Sequence, residues 1–119
     1  MARSADLQRH FDAVRALGCI VTGATHNVEL HHPHGGSMKL RGIHRQAGRK
    51  TSDKLVIPLH QSLHTGPGGI DGFPRPSVIE WEAKHGRQAD MVDEVGRRLG
   101  IDLWALAFAE LKPVPRRAA

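Results

Sequence analysis

Apolar and polar positions divide this chain into short segments. Leu7, Phe11, Val14 and Leu17 recur at helical spacing, which predicts a helix over residues 5–17, capped by Asp6 and stopped by Gly18. Cys19-Ile20-Val21 predicts a short strand, with Gly23 in the turn that follows. Residues 28–32 predict a second strand, which Pro33 cannot continue because it lacks a backbone donor. From His34 to Ser52 there is no apolar periodicity, and Gly35, Gly36, Gly42 and Gly48 punctuate what is expected to be a long polar loop. Residues 55–59 are apolar again, as a short strand or the approach to a helix. His60 to His64 is expected to open a helix, which the glycines and proline of residues 66–69 would end. Ser77 and Glu80 form a capping-box pattern that opens a helix to about His85, anchored in the core by Trp81. Ala89, Val92, Val95 and Leu99 mark another helix closed by Gly100, and Asp102 can cap a last one over 103–111, stopped by Pro113. The tail, 113–119, is expected to fray. The pattern is that of a single α+β domain over residues 1–119, with a core at about 19–72 and a helical part at about 77–112.

Charge and cysteine content narrow the function classes. The formal charge is +5 over 119 residues, and the sequence pI is ≈ 10.1, which points to a polyanionic partner, nucleic acid before membrane. Six basic residues (Lys39, Arg41, Arg45, Arg49, Lys50, Lys54) and one acid, Asp53, occupy the segment from Lys39 to Lys54. Such a run can be a solvated loop or a phosphate-binding one, and its place beside candidate metal ligands favours the second. Cys19 is the single cysteine, so no intrachain disulfide can form, as suits a reducing cytoplasm. No apolar stretch is long enough to span a membrane, and the N-terminus lacks the apolar core of a signal peptide, so a cytoplasmic protein without membrane partners is expected. Aromatic residues make up only 4%, and a bound metal would help to hold so small a core together.

Histidines carry the strongest chemical signal. Of nine, seven (His26, His31, His32, His34, His44, His60, His64) lie within one segment. On a regular strand His31 and His32 face opposite ways, so one can bind a metal while the other works as a base. His60 and His64 are four residues apart, which on a helix places both rings on one face. Gln61 stands where a zincin needs glutamate, which excludes that class. A strand ending in His-His, a basic loop and a helix opening with histidines imply a divalent cation between strand end and helix, with one imidazole free for proton transfer. That combination suits phosphodiester hydrolysis.

The arrangement resembles the ββα-metal, or HNH, nuclease motif, and the chain is similar to the phage recombination-enhancement (Ref-type) nucleases. The resemblance rests on Cys19-Ile20-Val21-Thr22-Gly23, Val28-Glu29-Leu30-His31-His32, Gly48-Arg49-Lys50-Thr51-Ser52-Asp53 and Ile57-Pro58-Leu59-His60-Gln61-Ser62-Leu63-His64. His34-Gly35-Gly36 and Gly69-Ile70-Asp71-Gly72 also fit it. It implies a small ββα-metal core with flanking helices and a long basic loop. By the same resemblance His31 is the first metal ligand, His32 the general base and His64 the ligand of the short helix. The implied activity is cleavage of DNA held in a RecA-type recombinase filament or displacement loop. The implied ions are magnesium or manganese in turnover, with zinc as a structural or bound ion.

The chain also departs from that pattern. The two CxxC pairs that surround a structural zinc in many HNH proteins are reduced here to Cys19 with Thr22 and His60 with Leu63. Cys19 and His60 can still share a zinc with His26 or His34, or Cys19 is simply a small buried residue. The central asparagine that would orient the base is missing; Leu55 lies near its place, and Asp53 is the substitute, accepting a hydrogen bond from His32. Asp71 is a turn residue or an additional ligand. Lys39, Arg41, Arg49 and Lys50 are the expected phosphate contacts. The other reading is a zinc-stabilised nucleic-acid-binding module without cleavage.

Overall fold

The computed structural model describes residues 4–43 and 51–110. The first helix, α1 (Ala5–Ala16), is capped by Ser4, whose hydroxyl accepts from the Leu7 N–H at 3.1 Å. Asp6, the cap expected from sequence, instead lies in the first turn and pairs with Arg9. Phe11 and Val14 are the buried face of this helix.

The strand expected at Cys19-Ile20-Val21 is a closed turn. Cys19 N–H donates to Ala24 O and Gly23 N–H donates to Cys19 O, both at 2.8 Å, and these bonds use the groups a ladder would need. One bond, from Ile20 N–H to Pro58 O at 2.9 Å, ties the turn to the sheet. That sheet has two antiparallel strands, β1 (Val28–His31) and β2 (Ile57–His60), with Val28 opposite His60 and His31 opposite Ile57. Pro58 is tolerated because each strand has only one partner.

Two further expectations change. The loop expected over residues 34–52 contains a one-turn helix, α2 (Ser37–Leu40), with Met38 fully buried. The carboxylate of Glu82 starts it, accepting from Ser37 N–H at 2.9 Å and from Ser37 Oγ at 2.6 Å. Gly36 permits this approach: its φ is +48°, and a Cβ there would run into the Glu82 carboxylate. The helix expected over His60 to His64 is a single 3-10 turn, Gln61–Leu63. His60 stays extended, with φ −60° and ψ 144°, and its ring accepts from the Ser62 N–H at 3.2 Å. His60 and His64 therefore do not share a helix face.

The rest follows the apolar pattern. Ser77 caps α3 (Val78–His85), accepting from Glu80 N–H; Gly100, at φ +69°, ends α4 (Gln88–Leu99); and Asp102 caps α5 (Leu103–Ala109). The core joins Leu55, Val56, Ile57 and Leu59 to Trp81, Val92, Val95 and Leu103, all at most 1% exposed. Helix α1 packs on both strands, α4 on β2, and α5 on the 3-10 turn Asp53–Leu55. The result is a mixed α+β arrangement in which helices cover a two-stranded ribbon that could not stand alone. Among the described residues, no helix is long and apolar enough to cross a membrane.

Candidate metal centre

Strand alternation starts the site. Glu29 and His31 lie two residues apart on β1 and face the same way. His31, at the strand end, is 0% exposed. The turn after β2 delivers His64 to the same place, and the loop beyond it returns Asp71. Asp71 N–H donates to His64 O at 2.8 Å and Ile70 N–H to Leu63 O at 2.9 Å. The Trp81 indole N–H donates to Leu63 O at 3.1 Å and pins the loop to α3. The loop fits closely because Gly69 has no side chain; a Cβ there would lie 2.5 Å from His64 O.

Asp71 is the centre of this group. Its Oδ2 is 3.1 Å from His31 Nδ1 and 3.1 Å from His64 Nε2, and its Oδ1 is 2.8 Å from His34 Nε2. Nitrogens of His31 and His64 and an oxygen of Asp71 all lie within 4.8 Å of one another, close enough to hold one metal ion. Asp71 is the exposed member, so the group opens to solvent on its side. The far nitrogens are held as well. Glu29 Oε1 accepts from the His64 Nδ1–H at 2.9 Å and from Thr65 Oγ at 2.6 Å, while His31 Nε2 lies 2.8 Å from Gln88 Oε1.

The electrostatics fit a cation. Glu29 can only accept, so a neutral His64 turns its Nε2 lone pair toward Asp71 Oδ2. Lone pair facing carboxylate at 3.1 Å is repulsive unless a proton or a metal ion stands between them. Burial alone would lower the His64 pKa, but Asp71 and Glu29 outweigh it and hold it above the usual imidazole value. Burial keeps His31 below that value despite its bonds to Asp71 and Gln88. For Asp71, burial opposes ionisation, yet the contacts with His31, His34 and His64 carry it far below the usual carboxylate range. Two imidazoles and an ionised carboxylate are a donor set for a first-row divalent metal.

His32 points elsewhere. Its Nε2–H donates to Asp53 Oδ1 at 2.7 Å, and the ring is one-fifth exposed. With Nε2 held, Nδ1 is the lone-pair nitrogen of the neutral ring.

The remaining candidates are dispersed. His60 is not among the metal-capable residues; its Nδ1 faces Ser62 Oγ at 2.8 Å and its ring meets His26 edge-on at 5.2 Å. Cys19 is 2% exposed and forms no metal-capable group among the described residues. Burial would raise its thiol pKa, but N–H groups of Thr22, His60 and Val21 and the Thr22 side chain bring it below the usual value. His34, considered above as a companion of Cys19, joins Asp71 instead. Arg41 lies 4.2 Å over the Trp104 ring and 3.4 Å from Asp93, so the fold itself engages its guanidinium. Lys39 is exposed on α2. Arg49 and Lys50 fall outside the described residues, as do His44 and the tail from residue 111.

Sequence reasoning missed Gln88, Glu29 and the central role of Asp71. The one local signal was the place of Glu29, two positions before His31 on a strand. This chain matches no protein-family model, no curated protein and no solved structure.

Proposed function

We propose that this chain is a metal-dependent DNA endonuclease of the ββα-metal, or HNH, type, acting in phage recombination on recombinase-bound or displacement-loop DNA. The observation that carries the reading is the division of labour at the end of β1. His31 turns inward to Asp71 and His64, while its neighbour His32 turns to Asp53. Binding alone needs no oriented imidazole beside a metal-capable group; hydrolysis does.

In this reading His31, His64 and Asp71 would hold the ion. A divalent ion bound there would supply charge stabilisation at the scissile phosphate and the leaving oxygen. Asp53 fixes the tautomer of His32, whose Nδ1 takes the proton of the attacking water. Two imidazole donors suit manganese or zinc better than magnesium, which prefers oxygen. The basic segment from Lys39 to Lys54, led by Lys39 on α2, contacts the DNA backbone, largely without regard to sequence.

The test is cleavage of single-stranded, duplex and recombinase-bound displacement-loop DNA, with magnesium or manganese, by wild type and His32→Ala. The expected result is metal-dependent cleavage by wild type and a loss of roughly 10²–10⁴-fold in the variant, with metal and DNA binding retained. DNA binding by both without cleavage would remove the enzyme reading. The zinc-stabilised binding module would then replace it, a reading favoured by the complete burial of His31. Such a module would respond to salt but not to the divalent ion in turnover.

A further inference from the structure

We propose that Gln88 is a positioning residue of the metal centre: its carboxamide oxygen accepts the Nε2–H of His31 and so leaves that ring's Nδ1 to take a metal ion beside Asp71 and His64. The inference rests on the metal-binding half of the reading above, and not on cleavage.

Gln88 is the first residue of α4 and is 0% exposed. Its amide makes four contacts. Oε1 lies 2.8 Å from His31 Nε2 and accepts from the His34 N–H at 3.1 Å. Nε2 donates to His34 O at 2.8 Å and to Glu82 Oε2 at 3.2 Å. These partners fix which end of the amide is which. A backbone N–H can only donate, whereas a backbone carbonyl and a carboxylate can only accept. Flipping the amide would set donor against donor at His34 N and acceptor against acceptor at His34 O and Glu82. The atom facing His31 Nε2 is therefore an acceptor, placed to hold a hydrogen on that nitrogen. On its other side His31 Nδ1 faces Asp71 Oδ2, a second acceptor, at 3.1 Å; a metal ion between these atoms takes the place of a hydrogen on Nδ1, and the ring then keeps the Nε2–H that Gln88 holds.

Glu82 holds the amide in turn. Its Oε2 accepts from the Gln88 N–H at 2.8 Å and from Ser37 Oγ at 2.6 Å, while its Oε1 accepts from the Ser37 N–H at 2.9 Å. Burial would raise the Glu82 pKa, but Ser37 and Gln88 outweigh it, so the carboxylate is a lasting acceptor. One chain of bonds thus runs from α2 through Glu82 and Gln88 to His31. Both backbone groups of His34 are tied to the same amide, so Gln88 also fixes the segment that carries the third imidazole on Asp71. Partners of this kind orient a metal-binding histidine and raise its basicity.

Two measurements test this. The first is long-range proton–nitrogen NMR on zinc-loaded wild type at neutral pH, which reads directly which His31 nitrogen keeps its hydrogen. The Nε2–H form is expected, and an Nδ1–H form overturns the proposal. The second is Gln88→Met, which keeps the volume but removes both polar atoms. Its zinc affinity, read by competition with a chromophoric chelator, is expected to fall by roughly 10–100-fold with the fold retained. A folded variant with unchanged zinc affinity overturns the proposal. If Gln88→Met does not fold, the wild-type tautomer decides alone. A wild type that binds no zinc removes the metal centre itself, and this inference with it. A wild type and a variant that bind zinc equally well remove only the role of Gln88.

Discussion

Two places in this molecule gather histidines, and they differ in what stands between and behind the rings. Around Asp71, three imidazoles converge on one carboxylate, and the far nitrogens of His31 and His64 face Gln88 and Glu29. At the other corner, His26 and His60 meet edge-on beside the Cys19 turn, and the side-chain partner of the His60 ring is the neutral Ser62. The first place has a fixed negative charge and rings oriented from behind. Among the described residues, the second has no carboxylate joining its rings, and only the neutral Ser62 holds His60. Imidazoles are common to both, so the carboxylate and the outer bonds separate a group able to hold a metal ion from a ring contact.

Removing the carboxylate is the most severe way to break this contrast. Asp71→Asn takes away a ligand and the charge that draws His31, His34 and His64 together. Metal affinity should fall by more than about 100-fold, beyond the usual effect of losing an outer partner, as measured by manganese or zinc titration. Affinity within a few-fold of wild type would show that Asp71 is only a turn residue.

The pH dependence should come next. In the metal-free fold His64 has a raised pKa, so its proton occupies the place a metal needs up to a higher pH than an ordinary imidazole of about 6.5. His31 is already neutral there because its pKa is lowered, and it does not compete. Affinity should therefore drop by up to about tenfold per pH unit once the pH falls below the raised His64 value. The same proton stabilises the metal-free fold below about pH 6.5, and that contribution is lost as pH rises through the raised value. The shift in Tm on adding metal should accordingly grow from pH 6 to pH 8. A flat profile would mean that His64 is not a ligand.

Glu29→Gln sharpens the contrast from behind. It keeps an oxygen for the His64 Nδ1–H but loses the charge, and a loss of roughly tenfold in affinity is expected from the same titration. At the other corner the expected effect is smallest. His60→Ala and Cys19→Ala should leave metal affinity within about twofold, and Cys19→Ala should cost about 1 kcal/mol of stability through lost packing, read by denaturant unfolding. A collapse of metal binding in either variant would transfer the metal site to this corner.

The sequence made part of this site legible because part of it is local. Two adjacent histidines at a strand end must diverge, and His31 and His32 do. Ser77, Gly100 and Asp102 act at the helix ends where their chemistry places them. His60 misled because the four-residue spacing from His64 signifies a shared face only on a helix, and the chain remains extended through His60. Glu29 could have been read from strand alternation once β1 was accepted. Gln88 could not: it lies 57 residues from His31, and only the packing of α4 brings them together. The one-turn helix α2 was hidden for the same reason, since its start is held by Glu82, 45 residues away.

The most direct test of the metal centre is a crystal grown with manganese and measured for anomalous scattering. A peak is expected, bounded by His31 Nδ1, His64 Nε2 and the Asp71 carboxylate, and none beside Cys19, His26 and His60. A peak at the second corner, or no peak at Asp71 under saturating manganese, would contradict it.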